Sequence, residues 1–244
     1  MNLAIDIGNT LVKLAVFEKG QMTALQTFEE ISTGKLERFI SSHQGITSSI
    51  IATVKDFPDE IKEYLQENTH FILFDIKAKL PITSTYNTPE TLGVDRLAAA
   101  VAAHSIMPSE TLLIISAGTA ITYDVVSAGG IHYGGAISPG LLMRFKALHN
   151  FTGRLPLMDQ ITDTALIGQS TADSILSGVL NGALAEVDGM IEKYSLQYPG
   201  LKTILSGGDN KYFDKRLKNK TFAIPNLALT GLNIILEYNI EKSL

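Results

Sequence analysis

Asn2-Leu3-Ala4-Ile5-Asp6-Ile7-Gly8-Asn9-Thr10 is an apolar run interrupted by one carboxylate and stopped by a glycine turn. The run predicts a strand over 2–7, ended by the turn chemistry of Gly8-Asn9-Thr10. A second apolar run over 11–17 follows at once. After the turn Glu18-Lys19-Gly20-Gln21, residues 22–28 read as a third strand, so the chain begins as a β-meander. The same grammar returns in mid-chain. Residues 111–116 are strongly apolar and end at Ala117-Gly118-Thr119, and 120–126 read as the next strand. Placing Asp6 over Ser116 also places Gly8 over Gly118, Asn9 over Thr119 and Val16 over Val126, an offset of 110 in a chain of 244. The offset predicts two related α/β domains, 1–108 and 109–244, meeting around Met107-Pro108-Ser109. Two buried strands that each end in a glycine turn would also align this way without a duplication.

Between the two meanders the periodicity alternates. Leu36, Phe39 and Ile40 predict a short helix over 35–42, and 48–54 predict a buried strand. Residues 58–68 form a helix with Pro58 near its start, and 71–74 form a strand. The longest helix spans 172–194, with apolar residues at 175, 176, 179, 180, 183, 184, 187, 190, 191 and 194. Ser174, Gly178 and Gly182 lie four apart on one of its faces. Each interior glycine costs about 1 kcal/mol against alanine, so a close backbone contact is expected there, either within the domain or in a dimer. A late strand over 201–205 and a terminal helix over 227–240 complete the pattern.

Composition excludes several classes. The 25 acidic and 20 basic residues leave a net charge of −5, without the basic face that nucleic acid requires. With 45% apolar and 18% charged residues, the chain is built to bury a core. It has no cysteine, so disulfides, thiolate metal sites and a cysteine nucleophile are excluded. Its five histidines never pair at zinc-ligand spacing. No apolar run reaches membrane-spanning length, and Met1–Thr10 has no signal-peptide pattern, so a cytoplasmic protein is expected.

Five segments carry chemistry. Asp6 at a strand end can hold a hydrated Mg²⁺, and the turn after it can aim backbone N–H groups, the Asn9 amide and the Thr10 hydroxyl at phosphate oxygens. Lys13 follows on the next strand. Ser116-Ala117-Gly118-Thr119-Ala120 repeats that turn in the second half. Gly134-Gly135-Ala136-Ile137-Ser138-Pro139-Gly140 reads as a glycine-rich loop opening a helix over 141–149, where an anion can approach. Ser206-Gly207-Gly208-Asp209 is a strand-end turn suited to the sugar or base of a nucleotide. Leu92-Gly93-Val94-Asp95-Arg96 leads into an apolar helix. Its Asp95 and Arg96 read either as base and anion anchor or as a helix N-cap with a surface arginine. Walker A and protein-kinase signatures are absent, so any nucleotide site is of another type.

Taken together and in order, these segments, with the 168–178 stretch that carries Thr171, Ser177 and Gly178, resemble the type III pantothenate kinases over nearly the whole chain. The resemblance implies an actin-like α/β fold: two ribonuclease H-like domains, mixed sheets flanked by helices, and an active site in the interdomain cleft. It implies ATP-dependent phosphorylation of pantothenate to 4′-phosphopantothenate, the first step of coenzyme A synthesis, in a cytoplasmic homodimer. On that resemblance Asp6, Ile7, Gly8, Asn9, Thr10, Leu11, Val12 and Lys13 form the ATP phosphate site, with Asp6 holding Mg²⁺ through water, and Thr119 also contacts ATP. Tyr86, Gly93, Val94, Asp95, Arg96 and Thr171 fall at pantothenate-binding positions, with Asp95 as proton acceptor. Ser116 departs from the family pattern, which has an aspartate there for a monovalent cation, K⁺ or NH₄⁺. That departure leaves a non-catalytic regulatory binding protein of the same fold as the alternative.

Overall fold

The computed structural model describes residues 1–75 and 77–242. The chain divides into two compact units. The first comprises Met1–Pro108, Gly129–His132 and Asn226–Leu244, and the second Ser109–Ala128 and Tyr133–Pro225. The first break falls at the expected boundary. The last helix, however, belongs to the first unit, whereas a division into 1–108 and 109–244 would assign it to the second.

In the first unit β1 (Asn2–Ile7), β2 (Val12–Glu18) and β3 (Gln21–Phe28) form the meander. After α1 (Thr33–Ser41), β4 (Ser48–Thr53) lies parallel to β1; after α2 (Asp59–Asn68), β5 (His70–Leu73) lies parallel to β4. The sheet order is β3-β2-β1-β4-β5. Leu3, Ile5 and Ile7 of β1 pack with Leu14 and Val16 of β2, Leu36 and Phe39 of α1, and Ile61 and Leu65 of α2 in one buried cluster. The short β6 (Thr83–Ser84) leads toward α3 (Val94–Ile106), which is buried almost all round from Arg96 to Ala103. The terminal helix α7 (Leu227–Glu241) packs along α3 and on β1 and β4. The alanines of α3 and Gly231 of α7 permit this approach. A Cβ at Gly231 would stand 1.8 Å from the Ala98 carbonyl oxygen.

The second unit repeats the plan. β7 (Leu112–Ala117) and β8 (Ala120–Val126) are antiparallel, and β10 (Lys202–Ser206) is parallel to β7. With β9 (Ile131–Pro139) and β11 (Phe222–Ala223) the order is β11-β10-β7-β8-β9. Read as β9-β8-β7-β10-β11, this is the topology of the first sheet. At the start of β9, within the first unit, Ile131 and His132 pair with Thr83 and Ser84 of β6. Helices α4 (Leu141–Asn150) and α5 (Thr171–Gln197) pack Leu141, Phe145, Ile175, Val179 and Leu180 onto Leu113, Ile115 and Tyr123. The short α6 (Asn210–Asp214) follows β10 and adds Phe213 to the core.

Three expectations change. First, the repeat offset is 110 only up to the turn. Ile7 pairs with Val12 across Gly8, Asn9, Thr10 and Leu11, whereas Ala117 pairs with Ile121 across Gly118, Thr119 and Ala120. The second turn is one residue shorter, so Lys13 corresponds to Thr122 and Val16 to Val125. Second, 134–139 is no loop but the end of β9. Gly135 is there because a Cβ would fall 1.8 Å from the Tyr123 carbonyl oxygen. Third, the small-residue face of α5 is covered at one end only: a Cβ on Gly168 would lie 2.3 Å from the Ser174 backbone nitrogen, so that loop packs closely on Ser174, but the face is open further along. A Cβ at Gly178 or Gly182 would meet nothing within 4 Å.

Candidate active site

Asp6 stands on the last turn of the β1 pleat, with Lys13 as its ladder partner on β2 and Ala52 on β4. Paired residues share a sheet face, so the carboxylate and the ammonium stem rise from the same side. The turn after β1 is closed by the Gly8 N–H donating to the Leu11 carbonyl at 3.0 Å. This leaves Asn9, Thr10 and Leu11 exposed, while the Ile7 and Val12 side chains enter the core. Of the eight residues from Asp6 to Lys13, these two can therefore offer a ligand only their backbone. Asn9, Thr10 and Leu11 line an open pocket of about 470 Å³ with Glu29, Glu30, Lys35 and Lys55.

Asp95 reaches the same locality from α3. The N-cap of α3 is Gly93, and Asp95 lies in the first turn. A Cβ on Gly93 would come 2.6 Å from an Asp95 carboxylate oxygen, so the glycine makes room for that carboxyl. Arg96 is only 6% exposed, and its guanidinium lies 5.8 Å from the Tyr86 ring centre. Both facts replace the capping reading, because Asp95 is not the N-cap and Arg96 is not a surface side chain. Burial first, and then the negative charge of Asp95, raise the Asp6 carboxyl from 3.8 to about 6; Lys13 pulls it back down. The first unit thus gathers Asp6, Lys13, Asp95, Arg96 and Tyr86, with Gly93 and Val94 opening the helix.

The second unit holds the remaining predicted residues. Thr119 is exposed at the β7–β8 turn, where the Gly118 N–H donates to the Ala120 carbonyl at 3.0 Å. Ser116 pairs with Thr122 on β8 and with Ser206 on β10. Three neutral hydroxyls thus share the face where the first unit has Asp6 and Lys13. Two other predicted segments close on this turn. Gly140 is pressed so near that a Cβ would lie 2.0 Å from the Gly118 carbonyl oxygen, and Gly207, at φ +94°, is as close to the Ala117 carbonyl oxygen at 2.1 Å. The Asp209 N–H donates to that same Ala117 oxygen at 3.0 Å, and burial raises the Asp209 carboxyl above its ordinary value. Thr171 is the exposed first residue of α5, after the N-cap Ser170 that accepts from the Asp173 N–H.

One group has no counterpart among the predicted residues. Glu186 of α5 accepts from Ser138 Oγ (2.5 Å), Arg144 (2.5 Å) and Tyr123 Oη (3.2 Å). Burial works against its charge, but the bonds from Ser138 and Arg144, the Arg144 charge and the Tyr123 bond outweigh it and hold the carboxyl below its usual range. Its sequence signal is faint: a carboxylate between the buried positions Ala183 and Val187 of an apolar stripe.

The family model described as type III pantothenate kinase matches residues 2–193. A Christiangramia forsetii protein named type III pantothenate kinase is 41% identical over 240 residues, covering 98% of this chain and 99% of that protein. A Bacteroides fragilis protein of the same name is 43% identical and covers 98% of each chain. This chain belongs to the type III pantothenate kinase family. The solved structures agree on the fold. A Campylobacter jejuni protein assigned to the Baf family of transcriptional activators superposes with a TM-score of 0.61 at 22% identity, covering 98% of this chain and 99% of that one. The activator of 2-hydroxyisocaproyl-CoA dehydratase from Clostridium difficile superposes with a TM-score of 0.57 at 13% identity, covering 99% of this chain and 95% of that one. The fold is thus the actin-like type, two mixed sheets flanked by helices, as a type III pantothenate kinase is expected to have.

Proposed function

We propose that this chain transfers the γ-phosphoryl group of ATP to pantothenate, giving 4′-phosphopantothenate and ADP in the first step of coenzyme A synthesis. The observation that carries the reading is the charged group in the first unit. Asp95 lies near enough to Asp6 to raise its carboxyl, with Lys13 opposite Asp6 and the buried Arg96 next to Asp95.

Phosphoryl transfer depends on positioning and charge neutralisation more than on covalent help. Asp95 accepts the proton of the pantothenate 4′-hydroxyl as that oxygen bonds to the γ-phosphorus. The bond from the γ-phosphorus to its bridging oxygen breaks, and ADP leaves with that oxygen. Arg96, held over the Tyr86 ring, anchors a polar end of pantothenate, with Gly93, Val94 and Thr171 as further contacts. The turn of residues 8–11, the Val12 backbone and Lys13 hold the phosphates, and Thr119 contacts the nucleotide. The donor set fits a hydrated Mg²⁺. Asp6 offers one carboxylate whose charge its surroundings disfavour, and among the described residues no group of three or more His, Asp or Glu could strip the ion of its water. When bound, that ion neutralises phosphate charge.

The residues around Ser116 do not fit a charge-held K⁺ or NH₄⁺. Ser116, Thr122 and Ser206 are neutral, and the next carboxylate on that face, Asp124, is buried and already partnered. We therefore infer weak or absent stimulation by monovalent cations. The reading makes the protein a cytoplasmic homodimer, and the open face of α5 at Gly178 and Gly182 supports a second copy there. Among the described residues, no helix is long and apolar enough to cross a membrane.

The test is ADP release with ATP, Mg²⁺ and pantothenate, in K⁺ and in Na⁺ buffer. Pantothenate-dependent release at similar rates in both is the expected result. A folded protein that binds pantothenate and releases no ADP in either buffer would favour the non-catalytic reading instead.

A further inference from the structure

Thr119 reaches any ligand from an exposed turn of three residues, and such a turn is only as well placed as what lies behind it. Its carbonyl accepts from the Gly140 N–H at 3.1 Å. Gly140 is jammed against the Gly118 and Thr119 carbonyls, which a Cβ would meet at 2.0 and 2.6 Å. Gly140 therefore braces the turn on the Gly118–Thr119 side, as Gly207 braces it at Ala117. Gly140 is in turn the joint between β9 and α4, and three bonds hold that joint. Arg144 donates from Nε to the Pro139 carbonyl at 2.8 Å and from its other arm to Glu186 at 2.5 Å, and Ser138 Oγ donates to the second oxygen of Glu186 at 2.5 Å. That second oxygen also accepts from Tyr123 of β8, the strand that leaves the turn. One carboxylate on α5 thus collects donors from β8, β9 and α4.

We infer that Glu186 is a positioning residue for the nucleotide turn, acting through Ser138, Arg144 and Gly140 on Thr119. The inference rests on the reading of Thr119 as a nucleotide contact, though not on pantothenate as the acceptor. An isolated, partly exposed ion pair would be weak evidence of any role. Here both oxygens are engaged, the donors come from three elements, β8, β9 and α4, and Arg144 spends a second bond on the backbone next to Gly140. A group with a purely structural task would stabilise the unit without changing affinity for nucleotide.

The test is direct titration of the non-hydrolysable analogue ADPNP with Mg²⁺, which needs no turnover. Glu186→Gln keeps the shape and loses the pairing with Arg144. It should weaken ADPNP binding by roughly tenfold, the scale of one charged hydrogen bond. Thr119→Val should also weaken binding, and the double variant should bind no more weakly than Thr119→Val alone, because both act through one turn. Ser138→Ala is the milder variant if Glu186→Gln folds poorly, with a smaller loss expected. Unchanged affinity in these variants, even with a lower melting midpoint, would make Glu186 structural and overturn the inference. Losses that multiply in the double variant would overturn it too. Wild-type protein that binds ADPNP but releases no pantothenate-dependent ADP would defeat the substrate reading alone.

Discussion

Replacing Asp6 by asparagine should stabilise the ligand-less protein while abolishing its proposed chemistry. Asp6 is raised from 3.8 to about 6 by burial and by Asp95, against the pull of Lys13. At about 1.4 kcal/mol per tenfold, holding that carboxylate ionised at neutral pH costs roughly 3 kcal/mol. The side chain keeps some exposure, so screening leaves about 1–2 kcal/mol of it. Asparagine matches the shape and carries no charge. For a chain of this length that gain corresponds to a melting midpoint roughly 2–8 °C higher. The sign follows from proton linkage. Between pH 3.8 and about 6 the folded state binds more protons at Asp6 than the unfolded state does. The stability that protonated Asp6 lends is present below that window and lost as pH rises through about 6. Thermal melts of Asp6→Asn and wild type without nucleotide should therefore converge toward pH 4, separate as pH rises, and run parallel above pH 7. In Asp95→Asn the same substitution should give a smaller gain, because one cause of the shift is gone. Mg²⁺ with ATP should raise the wild-type midpoint more than that of Asp6→Asn. A variant that melts at or below wild type at pH 7.5, or a difference that ignores pH, would refute the reasoning.

Asp95→Asn should lower turnover by about 10²–10⁴-fold, the range of a lost general base, with ADPNP affinity changed little; steady-state kinetics and titration separate the two. Ser116→Asp places a carboxylate among Thr122 and Ser206, so K⁺ stimulation of ADP release over Na⁺ should appear or increase; an unchanged ratio would reject the account of that site. Gly231→Ala drives a methyl into the Ala98 carbonyl at 1.8 Å. It should cost about 1–3 kcal/mol in urea unfolding and also reduce turnover, since α3 carries Asp95.

The strands and long helices were legible because their periods were clean. β1, β4, β7 and α5 fall within a few residues of the ranges that apolar patterning predicts. β9 was not legible, since Gly134-Gly135 imitates a loop. Gly135 answers to the neighbouring strand at Tyr123, and a local pattern carries no trace of a tertiary contact. The membership of α7 in the first unit is hidden for the same reason. Nothing in 227–240 says that Gly231 will meet Ala98, more than a hundred residues away. At the site, Asp6 stood out because a carboxylate broke an apolar run. Arg96 was ambiguous until its burial was known, and Glu186 stayed unmarked because its donors come from distant elements.

The two units share one strand order but differ in charge at the corresponding turns. At the end of the first strand in each sheet, a polar residue faces a partner across the hairpin: Asp6 faces Lys13, and Ser116 faces Thr122. The first pair is charged, and its carboxylate is held away from its ordinary ionisation. Such a cost is tolerated where a ligand relieves it. The second pair is neutral and carries no comparable cost. Its turn is a residue shorter and is braced by Gly140 and Gly207 at contact distances that admit no side chain. A braced, uncharged turn suits a fixed backbone surface, whereas a turn with exposed Asn9 and Thr10 beside a strained carboxylate suits charged ligands. If this division holds, substitutions at Asp6 should act mainly through pH and Mg²⁺. Those at Gly140 or Glu186 should instead change nucleotide affinity with little pH dependence, and a pH profile of ADPNP binding for each class distinguishes the two.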